Sequence, residues 1–444
     1  MKFDKTILNW FVTFVSVFSL LIPQEHLSIH IRELLQNKNT IIDFEKIDLD
    51  AKNIKTPERY QTVLSREIVG YLPYWMYSEY PSLRYDLLSQ INYFSAELDS
   101  YGNITNYHNW LSSDLVEFAH DRNVKVKLCA TLFGSSSLEN LLGNPQNRTN
   151  AIQNLLSAVS EVGGDGVDID FELLPSSMRD SLNVFMLELV NTFHENIPGS
   201  IVTMATPAID WSNAWDFNYL AQITDGLFIM GYDYHWSSGP TAGPVSPLGG
   251  FYYDLDYTVV DYLDETNYQS DKIILGLPYY GYDWPVMDNS IYSQTTGSAT
   301  ARTYANIQNM LGVESLFNES TSSSWFVYQD TNWRQCWYDD SLTLSIKYQY
   351  ADVKELSGIG MWALGYDGNN TQLWDAIYNQ YFECVIGDLN QDDTFDVYDI
   401  VQIIDFILES DSIPNEYEFC ASDLNQDSII NIVDVVLLSD LINR

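Results

Sequence analysis

The chain has 444 residues, 46% hydrophobic and 14% aromatic, with 61 acids against 21 bases and a formal net charge of -40. That apolar content supports one large core with room for a smaller second domain. The charge excludes the basic face that nucleic acid or an anionic membrane would need, and it excludes a polyanionic substrate. The 31 Tyr and 12 Trp suit sugar stacking as well as they suit a large core.

At the start, Lys2 and Lys5 precede "ILNWFVTFVSVFSLLI", a run of 16 nearly all apolar residues with the charge and hydropathy order of a secretory signal. The run is short for a membrane span, so the segment 1–23 reads as a signal peptide, with an uncleaved N-terminal anchor as the alternative. Either way the expected location is extracellular, free or tethered to the cell surface. Residues 24–66 are polar without a sustained period and read as a leader or linker.

From residue 67 short apolar runs recur with helix-length spacers. They are "EIVGYLPYW" (67–75), "INYFSAEL" (91–98), "VKVKLCATLF" (124–133), "GDGVDIDFE" (164–172), "SIVTMATPA" (200–208), "DGLFIMGYDY" (225–234), "KIILGLPYYGY" (272–282) and "SGIGMWALGYD" (357–367). Spacers such as "LVEFAHDRN" and "RTNAIQNLLSAVSEVG" have the apolar spacing of amphipathic helices. Strand and helix alternating eight times predict an α/β fold, a (β/α)8 TIM barrel over 67–380, with catalytic side chains at the C-terminal strand ends. A longer stretch between the seventh and eighth strands, about 286–340, carries "SSWFVYQD" and reads as a small inserted α+β lobe.

The fourth run sets Asp168, Asp170 and Glu172 in alternation with Val167, Ile169 and Phe171. On a strand the period of two sends the acids to one face and the apolar residues to the other. A solvated edge strand would not carry that apolar face between further apolar strands, and a metal site would be expected to include histidine. Glycoside hydrolysis, by contrast, needs a carboxylic acid that keeps its proton for the leaving oxygen and a second group that stabilises positive charge at the sugar carbon. Crowded carboxylates supply that asymmetry, because repulsion and burial raise the proton affinity of at least one of them.

"DGVDIDFE" resembles the D-G-x-D-x-D-x-E signature of glycoside hydrolase family 18, the chitinase and endo-N-acetylglucosaminidase family. "GYLPYW", "MGYDY", "GLPYYGYDW" and "GIGMWALGYD" extend the resemblance over about 67–380. It implies that Glu172 is the general acid and later the base. Asp170 would orient the substrate's 2-acetamido group and stabilise a cyclic oxazolinium ion, with Asp168 behind it sharing a proton. The acetamido oxygen would be the nucleophile, so no second, well-separated enzyme carboxylate and no catalytic cofactor is required. Tyr232 and Asp233 would act beside the reacting sugar and Trp362 would floor it. Tyr71, Met230 and Tyr280 would complete the substrate site, with Tyr74, His235 and Trp236 as further cleft residues. At the end of the third strand, where relatives carry Ser and a Gly pair, this chain has "ATLFG", and Thr131 is the expected replacement for the serine's hydrogen bond. The substrate implied is a β-1,4-linked N-acetylglucosamine polymer. Peptidoglycan or N-glycan hydrolysis, or a non-catalytic chitin-binding barrel, are the alternatives.

Residues 381–444 hold fifteen acids and one base, Arg444. "DLNQDDTFDVYD" (388–399) and "DLNQDSIINIVD" (423–434) repeat at an offset of 35, each followed by an apolar helix-like run. Oxygen side chains fall at loop positions 1, 3, 5, 9 and 12: Asp388, Asn390, Asp392, Asp396 and Asp399, then Asp423, Asn425, Asp427, Asn431 and Asp434. That spacing, with a backbone carbonyl at position 7, is a calcium loop. Position 6 is Asp393 or Ser428 rather than glycine, and position 12 is Asp, so this is no ordinary EF-hand. The repeat resembles a type I-like dockerin, a small all-α module whose two Ca2+ ions order helices for a cohesin-type partner. Val397, Tyr398, Ile432 and Val433 are then the expected partner contacts. Of four cysteines, Cys384 and Cys420 lie just before the two repeats and are the expected disulfide. Cys129, inside an apolar run, reads as a buried small hydrophobe.

Overall fold

The computed structural model describes residues 27–42, 63–310, 315–392, 394–408, 414 and 416–442. The expected signal segment and most of the leader lie outside the described residues. Two compact units are present, 1–39 and 40–444. The first contributes one described helix, Ile29–Asn37, started by Ser28, whose Oγ accepts the Ile31 N–H at 3.1 Å.

In the second unit the described strands run from β1 (Val63–Leu64) through β2 (Glu67–Pro73), β3 (Gln90–Leu98), β4 (Ile104–Asn106), β5 (Lys125–Phe133), β6 (Gly166–Glu172), β7 (Ile201–Pro207), β8 (Gly226–Met230) and β9 (Ile273–Pro278). After an antiparallel lobe the chain returns as β15 (Gly358–Trp362). Strands β2, β3, β5, β6, β7, β8, β9 and β15 pair in parallel in that order, and β15 pairs back onto β2, so eight strands close a barrel. Short β4 extends β3 antiparallel. The helix Pro145–Val162 shows how local sequence punctuates the layer outside the barrel. Asn144 caps it by accepting the Gln146 N–H at 3.0 Å, Pro145 fills the first turn where no N–H is needed, and Gly163 ends it at φ 72°. Gly166 opens β6 because the chains meet there: a Cβ would stand 1.9 Å from the Ile201 carbonyl oxygen.

The seventh expected strand, 272–282, is two strands in the structure. Pro278 ends β9, and the Tyr279 N–H turns to the Trp362 carbonyl at 2.7 Å. The chain then leaves the barrel as β10 (Tyr280–Val286), joined by β11 (Thr300–Thr303), β12 (Leu316–Asn318), β13 (Ser323–Gln329) and β14 (Trp333–Tyr338) in the antiparallel order β11-β10-β14-β13-β12. This lobe therefore starts at Tyr280, six residues earlier than the sequence boundary. Its buried Asp283 accepts from Arg302 at 2.7 Å and from Arg334 and Tyr328 at 2.9 Å, tying β11, β13 and β14 to β10. Trp337 stacks between Trp325 and Tyr292, with centroids 5.1 and 5.2 Å away.

Strand β16 (Phe382–Glu383) pairs antiparallel with β1, joining the two ends of the barrel segment. Beyond it lie helices Val397–Ile407, Glu416–Ser422 and Ile432–Ile442. They enclose a separate small core of Leu389, Ile403, Tyr417, Ala421 and Leu438, and Cys384 is bonded to Cys420.

Candidate active site

Strand β6 divides its side chains as its alternation requires. Phe171 stacks on Phe185 of the helix Arg179–Asn196 at 5.5 Å between centroids, whereas Asp168 and Asp170, both fully buried, point into the barrel. Asp168 receives two hydroxyls from opposite sides. Tyr71 of β2 donates to Oδ2 at 2.6 Å, and Thr203 of β7 donates to Oδ1 at 2.6 Å. Thr203 in turn accepts from Lys127 Nζ of β5 at 2.7 Å. Burial, and after it the charge of Asp168, push the Asp170 carboxyl well above the ordinary carboxylate range. A proton on Asp170 beside a hydrogen-bonded Asp168 carboxylate is the arrangement these contacts favour.

Glu172 ends the strand. Tyr232 stands at the C-terminal end of β8, near enough to all three acids that Asp170, Glu172 and Asp168 each raise its hydroxyl, though burial raises it most. It is a neutral donor at ordinary pH. Asp233 follows at φ 61°, and its Oδ1 accepts from both Tyr280 and Tyr282 at 2.7 Å. Trp362 closes β15 among Phe94, Tyr71 and Trp75, at 4.8, 5.6 and 6.4 Å between centroids. Met230 ends β8 and is buried. Tyr74 stacks on His108 at 3.6 Å. His235 and Trp236 line a neighbouring cleft with Tyr234 and Pro240. Burial lowers His235 to about 4, so its ring is neutral and hydrogen-bonded through Nδ1 to the Pro244 carbonyl.

Thr131 does not take the role expected of it. Its hydroxyl contacts Ser95 at 3.2 Å and the Ala96 carbonyl at 3.4 Å, because register sets Thr131 beside Asp170 and Cys129 beside Asp168. Cys129 is buried as expected, but its thiol faces Asp168. Asp165 supports the strand rather than the acids, accepting from the Val126 N–H and His120 at 2.7 Å. Tyr282, Thr203 and Lys127 escaped sequence reasoning. Their positions around the acids follow from pairing between strands and leave no local signature.

In the C-terminal helices, both loops curl around their own oxygens. Asp388 Oδ1 and Asn390 Oδ1 accept the Asp392 N–H at 3.2 and 3.0 Å, and Asp423 and Asn425 accept the Asp427 N–H at 3.0 and 3.1 Å. Asp399 and Asp434 at position 12 are fully buried and accept backbone N–H groups of their own loops. Asp396 and Asn431 at position 9 accept the Tyr398 and Val433 N–H groups at the helix starts. Ser428 occupies position 6 at φ 65°, where glycine is the ordinary choice. Buried Asp388, Asp399, Asp423 and Asp434 lie in a segment, 384–442, whose sequence has no Lys, Arg or His. A hard cation suits such a donor set.

A closed barrel whose interior carries a row of carboxylates ending at the C-terminal end of its fourth strand has the acid–base groups that hydrolysis of a glycosidic bond requires. The chain belongs to the glycosyl hydrolases family 18, whose model matches residues 67–367. It is 28% identical over 326 residues to YdhD of Bacillus subtilis, provisionally named a sporulation-specific glycosylase, covering 68% of this chain and 73% of that one. It is 25% identical to human di-N-acetylchitobiase, covering 60% of this chain and 75% of the relative. Among solved structures, the GH18 chitinase from Cycas revoluta in complex with (GlcNAc)3 superposes with a TM-score of 0.65 at 21% identity, over 71% of this chain and 99% of that one.

Proposed function

We propose that this glycosidase is secreted and cleaves β-1,4-linked N-acetylglucosamine polymers with retention, using the substrate's own acetamido group. The observation that carries the reading is the buried Asp168–Asp170 pair, with Asp170 raised, on the strand that ends in Glu172, close enough to Tyr232 for all three acids to raise its hydroxyl. In the reaction Glu172 gives its proton to the glycosidic oxygen and the C1–O bond breaks. The acetamido carbonyl oxygen closes onto C1, and the oxazolinium ion forms. Asp170 holds the acetamido N–H, and Tyr232 donates to the carbonyl oxygen, keeping that oxygen aimed at C1. Water then attacks C1, Glu172 takes its proton, and the ring reopens with the original anomeric configuration. Asp233, pinned by two tyrosines, sits beside the reacting sugar, and Trp362 floors it.

Peptidoglycan is the second reading, favoured by the relation to YdhD and to the cortical fragment-lytic enzyme of B. subtilis, 25% identical over 237 residues. The C-terminal helices form a dockerin that binds two Ca2+ ions and docks on a cohesin-type protein. The repeated oxygen spacing and the buried carboxylates support this, and Val397, Tyr398, Ile432 and Val433, 47–67% exposed, are the contact residues. Export is supported by the N-terminal apolar run and by the Cys384–Cys420 bond, which persists in oxidising compartments.

Hydrolysis of chito-oligosaccharides by the wild type and Glu172→Gln, with anomer-resolved products, tests the reading. It expects β-anomers from the wild type and none from the variant. α-Anomers would remove the acetamido mechanism, and a silent wild type that cleaves peptidoglycan would move the substrate to the second reading.

A further inference from the structure

The barrel interior holds a charged group for which hydrolysis has no assigned use. Lys127 is fully buried on β5, two residues before Cys129, in register with Gly166 of β6. Its Nζ donates to Thr203 Oγ1 at 2.7 Å, and the same hydroxyl donates to Asp168 Oδ1 at 2.6 Å. A hydroxyl has one proton, and an ammonium can only donate. With Lys127 on its lone pair, Thr203 must turn its proton toward Asp168, so the direction of the chain is set from ammonium to carboxylate. Tyr71 donates to the other oxygen of Asp168 at 2.6 Å, and the Cys129 thiol faces the same carboxylate. Packing alone does not call for a lysine here. An apolar side chain of similar volume fills a core without the desolvation cost of an ammonium, so something must offset that cost.

We propose that Lys127 is a positioning residue for the reaction, holding the negative charge on Asp168 through Thr203 and so leaving the proton shared by the two aspartates on Asp170. This rests on the glycosidase reading above, in which Asp170 is the member that meets the acetamido N–H. Burial lowers Lys127 to about 8, and Asp168 leads the groups acting against that, followed by Glu67, Asp225 and Cys129. The ammonium therefore stays charged through neutral pH. Among the described residues of the barrel unit, the titratable groups close to the aspartates include Tyr71, Cys129 and Tyr232, all raised by burial and hence neutral, and Glu172.

The test compares Lys127→Met, which keeps the shape and removes the charge, with Thr203→Val and Thr203→Ser, which remove and keep the relay hydroxyl. In Lys127→Met and Thr203→Val the acid limb of the kcat/KM profile on chito-oligosaccharides should move up by about one pH unit, because the pair takes its second proton more readily. Thr203→Ser should follow the wild type. The protonated-carboxyl infrared band of Asp-labelled protein, assigned with Asp168→Asn and Asp170→Asn, should shift in the same direction without any turnover. Unmoved acid limbs and unmoved carboxyl titration in both variants would overturn the proposal and leave Lys127 a structural residue, whatever happens to kcat. If Lys127→Met does not fold, the Val and Ser pair decides. If the wild type hydrolyses no substrate, the glycosidase reading fails, while the infrared titration still judges the coupling.

Discussion

Asp367, just beyond β15, offers a test of how the fold handles a buried acid. It is 4% exposed, its Oδ2 accepts from Trp374 Nε1 at 2.8 Å, and its Oδ1 is buried with no hydrogen-bond partner among the described residues. Burial pushes the carboxyl up from 3.8 to about 6. Between those values the unfolded chain has released a proton that the folded chain keeps, so stability falls as pH rises through the window. About two pH units at about 1.4 kcal/mol each make that loss about 3 kcal/mol by neutral pH. Asp367→Asn cannot titrate, keeps an oxygen for Trp374, and places an amide nitrogen where the lone oxygen stood. Whatever the unpaired amide costs, it costs the same at every pH. Urea unfolding followed by tryptophan fluorescence should therefore show the variant gaining about 3 kcal/mol on the wild type between about pH 4 and pH 7.5. Parallel curves, with the difference changing by less than about 1 kcal/mol, would refute the claim that burial burdens this acid.

The two hydroxyls on Asp233 should each matter to turnover. Tyr280→Phe or Tyr282→Phe removes a 2.7 Å hydrogen bond to a carboxylate, and a loss of about 1.5–3 kcal/mol appears as a roughly ten- to hundredfold fall in kcat/KM on chito-oligosaccharides. A change within about twofold would remove Asp233 from the reaction. In the antiparallel lobe, Asp283→Asn leaves Arg302 and Arg334 facing a neutral group in a buried position, at a cost of about 3 kcal/mol or more. Trypsin should then cut within 280–338 much faster than in the wild type, and equal rates would show that the ion cluster does not hold the lobe together. Reducing Cys384–Cys420, which spans 36 residues, should destabilise the C-terminal helices by about 4 kcal/mol in the chain-entropy picture and leave the barrel transition in place. Calorimetry of the full chain with and without reductant reads this directly, and a shift of the barrel transition instead would place the constraint elsewhere.

What the sequence determined by itself was local and periodic. The alternation of Asp168, Asp170 and Glu172 with Val167, Ile169 and Phe171 specified which face of β6 carries acid, because a strand repeats every two residues wherever it sits. The eight apolar runs announced the barrel strands in order, and the duplicated oxygen spacing of 388–399 and 423–434 was readable because all the oxygens of a loop lie within twelve residues. Tertiary structure decided everything that depends on how strands line up across the barrel. Register set Cys129 and Thr203 beside Asp168 and sent Thr131 one step up to Asp170, which is why the expected threonine support is not there. Closure carried Tyr71 to the far oxygen of Asp168, and Pro278 released Tyr280 and Tyr282 from the seventh strand to a lobe that returns them to Asp233. Lys127 carries no local signature of a role in the sequence. Only the closed barrel, which buries that ammonium fully and sets a threonine between it and Asp168, makes it part of the site.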